Sequence, residues 1–314
     1  MSLGLLRNPF ARFRTSLRRP PPVVPVDAPA AVPAIPPVPA RTPFVHAAVR
    51  WTEARIGIAD SLWGDGLLLP GGEEEVLRLA VPLGLSEASS LLLLGAAGGG
   101  AARAVTGRLG PWVSGHEADP ALAAVAALRL QRAGKEVARR ASVVPWDPRA
   151  PVFRRRGFDH ALALEALRGA PGRPVTVPEL LVALAGALRP GGHLVLVDLV
   201  AAGPLDQNDP LVREWAEAEG RSRDMPTEAA LTAALAELDF DVRIAEDISA
   251  RHMRLAVHGW KTLVHGLDGS HPERAYAAAL VAEAEVWMRR LRLMHSGKVR
   301  MARWDAIGRR RRAT

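Results

Sequence analysis

Apolar positions in this chain come in short runs that alternate with longer helix-forming stretches. "SLLLLG", beginning at Ser90, reads as a buried strand, and "GGAARAVTGRL" behind it as a helix. "PWVSGHE" is a second strand, followed by "DPALAAVAALRLQRAG", a helix with Asp119 as N-cap and Pro120 at its first position. "ASVVPWD" gives a third strand and "FDHALALEAL" a fourth. "VPELLVALAGALRPGG" is an amphipathic helix stopped by Pro190 and the glycine pair, and "HLVLVDLV" is a fifth strand. "PTEAALTAALAELDFDVRIAEDIS" reads as helix then strand, residues 250–296 read as helical, and "VRMARWDAI" as a closing edge strand. Strands separated by helices pair in parallel, because each crossover returns the chain to the same end of the sheet. The expected fold is therefore a doubly wound, mostly parallel α/β sheet with a helical cap inserted before the last strand. Its ligand belongs at the carboxyl ends of the strands.

Upstream the pattern changes. "PPPVVPVDAPAAVPAIPPVPARTP" is too rich in proline for helix or ladder and reads as an extended spacer. It follows nineteen residues with five arginines, no acid and several leucines and phenylalanines, a basic amphipathic composition interrupted by Pro9. The expected division is a basic and Pro-rich tail over 1–44, a core over 45–249, a cap over 250–296, and a closing strand with basic tail over 297–314. Much of the formal charge of +8 sits in the two tails, "RNPFARFRTSLRRP" and "GRRRRAT", which leaves the middle nearer neutrality. Basic ends of this kind suit solubility, as a solvated tail, or weak peripheral contact with an anionic membrane better than sequence-specific nucleic-acid reading, for which no motif is present. With no cysteine there is no disulfide, thiolate ligand or cysteine nucleophile, and no metal site is expected. No apolar run approaches the roughly 20 residues needed to span a bilayer, so the expectation is a cytoplasmic or membrane-peripheral protein.

The candidate chemistry centres on "LLLLGAAGGGAARAVTG". Gly95, Gly98, Gly99 and Gly100, with the small Ala96 and Ala97, let backbone approach a bulky ligand, and the helix beginning near Gly99 would aim N–H groups at it. Glu117, at the end of the second strand, stands where an acid accepts hydrogen bonds from the hydroxyls of an adenosine ribose. Asp147 could accept from an adenine amino group while Trp146 covers the ring, although Asp147-Pro148 is also an ordinary turn. The spacing Gly95, Ala97, Gly100 suits a dinucleotide as well, so the loop alone leaves the adenosine cofactor open.

From about Trp63 to Asp198 the chain resembles the class I S-adenosylmethionine-dependent methyltransferases. "LLLLGAAGGGAARAV" is similar to their first motif, "VSGHEADPALAAVA" to their ribose-acid segment, "VVPWDP" to their adenine region, and "ALRPGGHLVLVDLV" to their fifth strand. "WGDGLLLPGGEEEVLRLAVPLGL" and "SGKVRMARW" resemble segments of the phosphoethanolamine and sarcosine N-methyltransferases. The resemblance implies S-adenosylmethionine as cofactor, held by Gly95, Ala97, Gly99, Glu117, Trp146 and Asp147. It implies methyl transfer to a small molecule or lipid head group, with Glu165 at the end of the fourth strand and His258 in the cap as catalytic residues and Trp63 and Asp65 at the acceptor. His252, Lys261 and the Arg289, Arg290, Arg292 group are further candidates, the last three more simply a solvated helix face. The chain departs from the pattern where Leu93 replaces an acid and Ala97 a glycine, and where Leu67 stands at a position that can be tyrosine. Those departures support an alternative expectation, a catalytically silent methyltransferase fold used for binding or scaffolding.

Overall fold

The computed structural model describes residues 51–309, apart from 171–172 and 270–271. The amphipathic segment, the proline-rich spacer and the last arginines of the chain lie outside the described residues. Strands β1 (Ser90–Leu94), β2 (Trp112–Glu117), β3 (Ala141–Pro145), β4 (Phe158–Leu164), β5 (Leu188–Ala201), β6 (Phe240–Asp247) and β7 (Val299–Gly308) form one sheet in the order β3-β2-β1-β4-β5-β7-β6. The ladders from β3 to β5 are parallel, and β7 runs antiparallel to both of its neighbours. The closing strand is thus not at the edge. It is inserted between β5 and β6, where its apolar Met301, Ala302, Trp304 and Ala306 are fully buried.

The strand order explains why β1 shows no alternation. Leu91 and Leu93 point into a core on one face of the sheet, Leu92 and Leu94 into a core on the other, and all four are fully buried. Each contributes about 1.5–3 kcal/mol of apolar burial. The first core is closed by α1 (Glu53–Trp63), α2 (Gly72–Ala80), α3 (Gly100–Leu109), α4 (Pro120–Arg132) and α7 (Pro210–Glu219). The second is closed by α6 (Val177–Ala187) and α8 (Glu228–Glu237). A short α5 (Lys135–Arg140) leads into β3. Asp119 caps α4 as its sequence position requires, accepting from the N–H groups of Ala121 and Leu122. The helix α6 stops at Ala187, three residues before Pro190, because the chain turns directly into β5.

Between β6 and β7 the chain forms α9 (Ser249–Gly266) and α10 (Arg274–His295), the expected cap. They close on α1, whose last residue, Trp63, packs its ring 5.0 Å from that of Trp287 on α10. On α9, Gly259 admits Trp63, since a Cβ there would lie 2.4 Å from the indole. The hydrophobic pattern does not mark α1, although Thr52, accepting from Arg55 N at 3.3 Å, is an ordinary N-cap. No helix among the described residues is long and apolar enough to cross a membrane.

Candidate functional site

The glycine loop turns sharply out of β1. Gly95 has φ +69°, and a Cβ there would lie 1.8 Å from the carbonyl oxygen of Leu164, so only glycine lets the tips of β1 and β4 come this close. At Gly100 a Cβ would meet Asp65 O at 2.5 Å, and the Gly100 N–H donates to Gly66 O at 3.0 Å. The loop's small residues therefore accommodate the chain's own segment after α1. Ala97 adopts φ +52°, a left-handed conformation that costs an L-residue roughly 1–2 kcal/mol.

What holds Ala97 there is Glu117. Its carboxylate accepts from Ala97 N at 2.7 Å and from Asp119 N at 3.1 Å, stapling the loop to the end of β2. Burial raises the Glu117 carboxyl above its usual range, and the Arg168 charge and these two N–H groups oppose the rise. Two bonds leave about two further lone pairs on the carboxylate. Leu93, where an acid is expected, lies wholly inside the apolar core.

Trp146 packs beside Glu117, its backbone N–H donating to Glu117 O at 3.1 Å, while its buried indole Nε1 has no partner among the described residues. Gly95, Glu117, Trp146, Glu165 and Arg168 border a small hollow. A second small hollow adjoins it under Leu67 and Leu69, and a third is lined by Trp51, Trp63 and Trp287. Arg168 lines all three. It makes no ion pair among the described residues, and its guanidinium sits 5.8 Å from the Trp51 ring centre. Arg168 escapes sequence reading because one arginine in "ALEALRGA" carries no local signal. Asp147 is exposed, accepts from Arg149 N at 3.0 Å in a turn, and does not border the hollow; the turn reading describes it.

Glu165 does not match its expected role. At the tip of β4, with φ +48°, its carboxylate is clamped by Arg221 Nη2 at 2.6 Å and by Arg290 Nη1 and Nη2 at 2.9 and 2.6 Å. Burial alone would raise its pKa, but Arg290 and Arg221 outweigh burial and hold it well below the carboxylate range. A carboxylate so held is a poor base. The same arginines reach Glu219, whose carboxyl burial would raise and the guanidiniums hold at about 2, and Arg221 also binds Asp198 at 2.7 Å. His252 is enclosed beside Arg290, and burial pushes its imidazole down to about 4, so it is neutral. His258 lies exposed on α9, away from the hollows. Trp63 reaches the third hollow as buried packing, whereas Asp65 is spent on ion pairs with Arg103 and Arg129 that tie the segment after α1 to α3 and α4. Of the arginine group on α10, Arg290 is buried rather than solvated, and Arg289 pairs with Glu214 and Glu285.

No family model and no curated protein sequence matches the chain. Solved structures do. Phosphoethanolamine N-methyltransferase 2 of Haemonchus contortus, in complex with phosphomonomethylethanolamine and S-adenosylhomocysteine, superposes with a TM-score of 0.67 over 82% of this chain at 16% identity. The fold is that of the S-adenosylmethionine-dependent methyltransferases. This chain spans 57% of that enzyme's length. Geranyl diphosphate C-methyltransferase of Streptomyces coelicolor A3(2) matches with a TM-score of 0.56 at 14% identity, covering 74% of this chain and 79% of its own. The [4+2]-cyclase SpnF matches equally well, with a TM-score of 0.56 at 18% identity over 76% of this chain and 81% of its own. The shared fold therefore accommodates more than one reaction, and the site must argue for itself.

Proposed function

We propose that this chain binds S-adenosylmethionine over the carboxyl ends of β1 and β2 and transfers its methyl group to a small-molecule or lipid head-group acceptor. The observation that carries this reading is the pairing of Glu117, with lone pairs to spare, and the indole N–H of Trp146, unpartnered among the described residues, at one small hollow beside the glycine loop. Both are buried polar groups whose hydrogen-bonding capacity the protein leaves unfilled, which favours a ligand with hydroxyl donors and a ring acceptor. Gly95, Ala97 and Gly99 would shape the wall beside it. When bound, S-adenosylmethionine supplies an already activated methyl group, so the chain's own residues have only to align the acceptor and exclude water. Trp51, Trp63 and Trp287 line the adjoining hollow and would provide an apolar acceptor surface, with Arg168 between acceptor and cofactor. Glu165 holds Arg221 and Arg290 in place rather than taking a proton.

A second reading, a silent fold used for binding, is favoured by the same arginines: Arg168 stands where the three hollows meet, and the expected base is neutralised. Isothermal titration with S-adenosylmethionine and S-adenosylhomocysteine separates the two. The first reading expects micromolar binding, weakened by about 1.5–3 kcal/mol in Glu117→Ala, the range for hydrogen bonds to a charged group. Absence of heat at millimolar ligand sinks it; binding without turnover of amines, phenols or lipid extracts supports the second.

A further inference from the structure

At the opposite end of the sheet from the candidate site, the amino ends of β4, β5 and β6 border an open cleft of about 480 Å³. Its walls carry Arg155, Arg156, Arg189 and Arg309, and Asp239 is the single acid among its lining residues. Arg189 is neutralised by an ion pair with Asp159, but Arg155, Arg156 and Arg309 make no ion pair among the described residues. This concentration is local. Residues 1–50 hold seven arginines and one aspartate, and residues 310–312 three more arginines, so residues 51–309 as a whole are close to neutral.

The backbone aims these side chains rather than leaving them to chance. Arg156 N donates to Gly186 O at 2.9 Å, Gly157 N to Ala187 O at 2.9 Å, and Arg309 N to Asp239 O at 2.8 Å, fixing both arginine-bearing segments on the cleft's rim. Arg156 has φ +48°, a left-handed conformation where glycine would be easier. An exposed long side chain kept at a strained position, beside two other unpaired cations, points to a use for its charge.

We propose that this cleft binds the phosphate chain of a small polyphosphate. Guanidinium forks match phosphate oxygens bidentately, and several such groups around one concavity suit several linked phosphates better than a single carboxylate. A bilayer is too flat to enter a concave cleft. A nucleic-acid strand would look for stacking rings, and the aromatic residue of the wall, Phe240, is 3% exposed.

The test uses the full chain and inorganic tripolyphosphate as probe, measured by titration calorimetry at low and physiological salt. The expected result is saturable binding that weakens with salt and falls by about tenfold or more in the Arg155→Ala, Arg156→Gly double variant. The single variant Arg156→Gly should weaken binding while its thermal unfolding midpoint stays equal to or above that of the wild type, because glycine relieves the φ. Replacing Arg310, Arg311 and Arg312 by alanine should leave affinity within about threefold, since the proposal rests on Arg155, Arg156 and Arg309. The proposal is overturned by no binding of tripolyphosphate, by binding that the tail variant abolishes and the double variant spares, or by binding confined to RNA or phosphatidylserine vesicles.

Discussion

Replacing Arg290 by methionine tests whether the buried ion network beneath the cap is a structural clamp. The substitution keeps an unbranched stem and removes the guanidinium, whose Nε, Nη1 and Nη2 make four contacts of 2.6–2.9 Å to Glu165 and Glu219. Both carboxylates are buried, and afterwards Arg221 would be the one cation still paired with them, beside the Trp215 indole N–H on Glu219 at 2.8 Å. Breaking a buried pair from one side costs about 3–5 kcal/mol, because the stranded charge is not rehydrated. The titration of Glu219, which Arg290 and Arg221 lower together, points the same way. The Glu219 carboxyl is held at about 2 rather than at its ordinary 4.5, a difference worth about 3 kcal/mol at neutral pH. Because the folded pKa is depressed, that stability is present above pH 4.5 and lost as pH falls through about 2. Urea unfolding at pH 7 should therefore show the variant about 3–5 kcal/mol weaker, with a midpoint lower by on the order of 10 °C in thermal scans. The gap should narrow as pH falls below 4.5, where protonated carboxyls no longer need a counter-charge. A gap under about 1 kcal/mol at pH 7, or one unchanged by acid, would refute the reasoning.

Two other substitutions probe the loop. Gly95→Ala should abolish soluble folded protein or cost more than about 4 kcal/mol, since the new methyl meets the Leu164 carbonyl and φ is already positive; near-normal unfolding would mean β1 and β4 separate easily. Ala97→Gly relieves φ +52° and should raise stability by up to about 1 kcal/mol in denaturant titrations without weakening cofactor binding, whereas lost binding would show that the alanine methyl is itself part of the ligand surface.

The parallel half of the sheet was legible because local patterns write it: four leucines between polar flanks, an Asp-Pro cap, a strand after a helix stop. Glu117 was legible as the acid beside the glycines, although the sequence could not show that it grips Ala97. The ion network was not. Glu165 and Arg290 lie 125 residues apart, and arginines on amphipathic helices normally face water, so periodicity carries no trace of their pairing. Position also escaped: "VRMARWDAI" reads as a strand from composition, but the choice between rim and interior is made by Trp304 and Met301 packing against helices on opposite faces, which no local window contains.

The place of β7 bears on how the molecule is made. As the ribosome extrudes the chain, β6 emerges with no neighbour to join, because its sole partner in the sheet follows only after α9 and α10. Until then the rim of β5 and the whole of β6 are bare ladders exposed to other nascent chains. A premature stop within the cap would therefore leave an adhesive fragment with its sixth strand stranded, and proteotoxicity from such fragments should exceed that of fragments ending before β6.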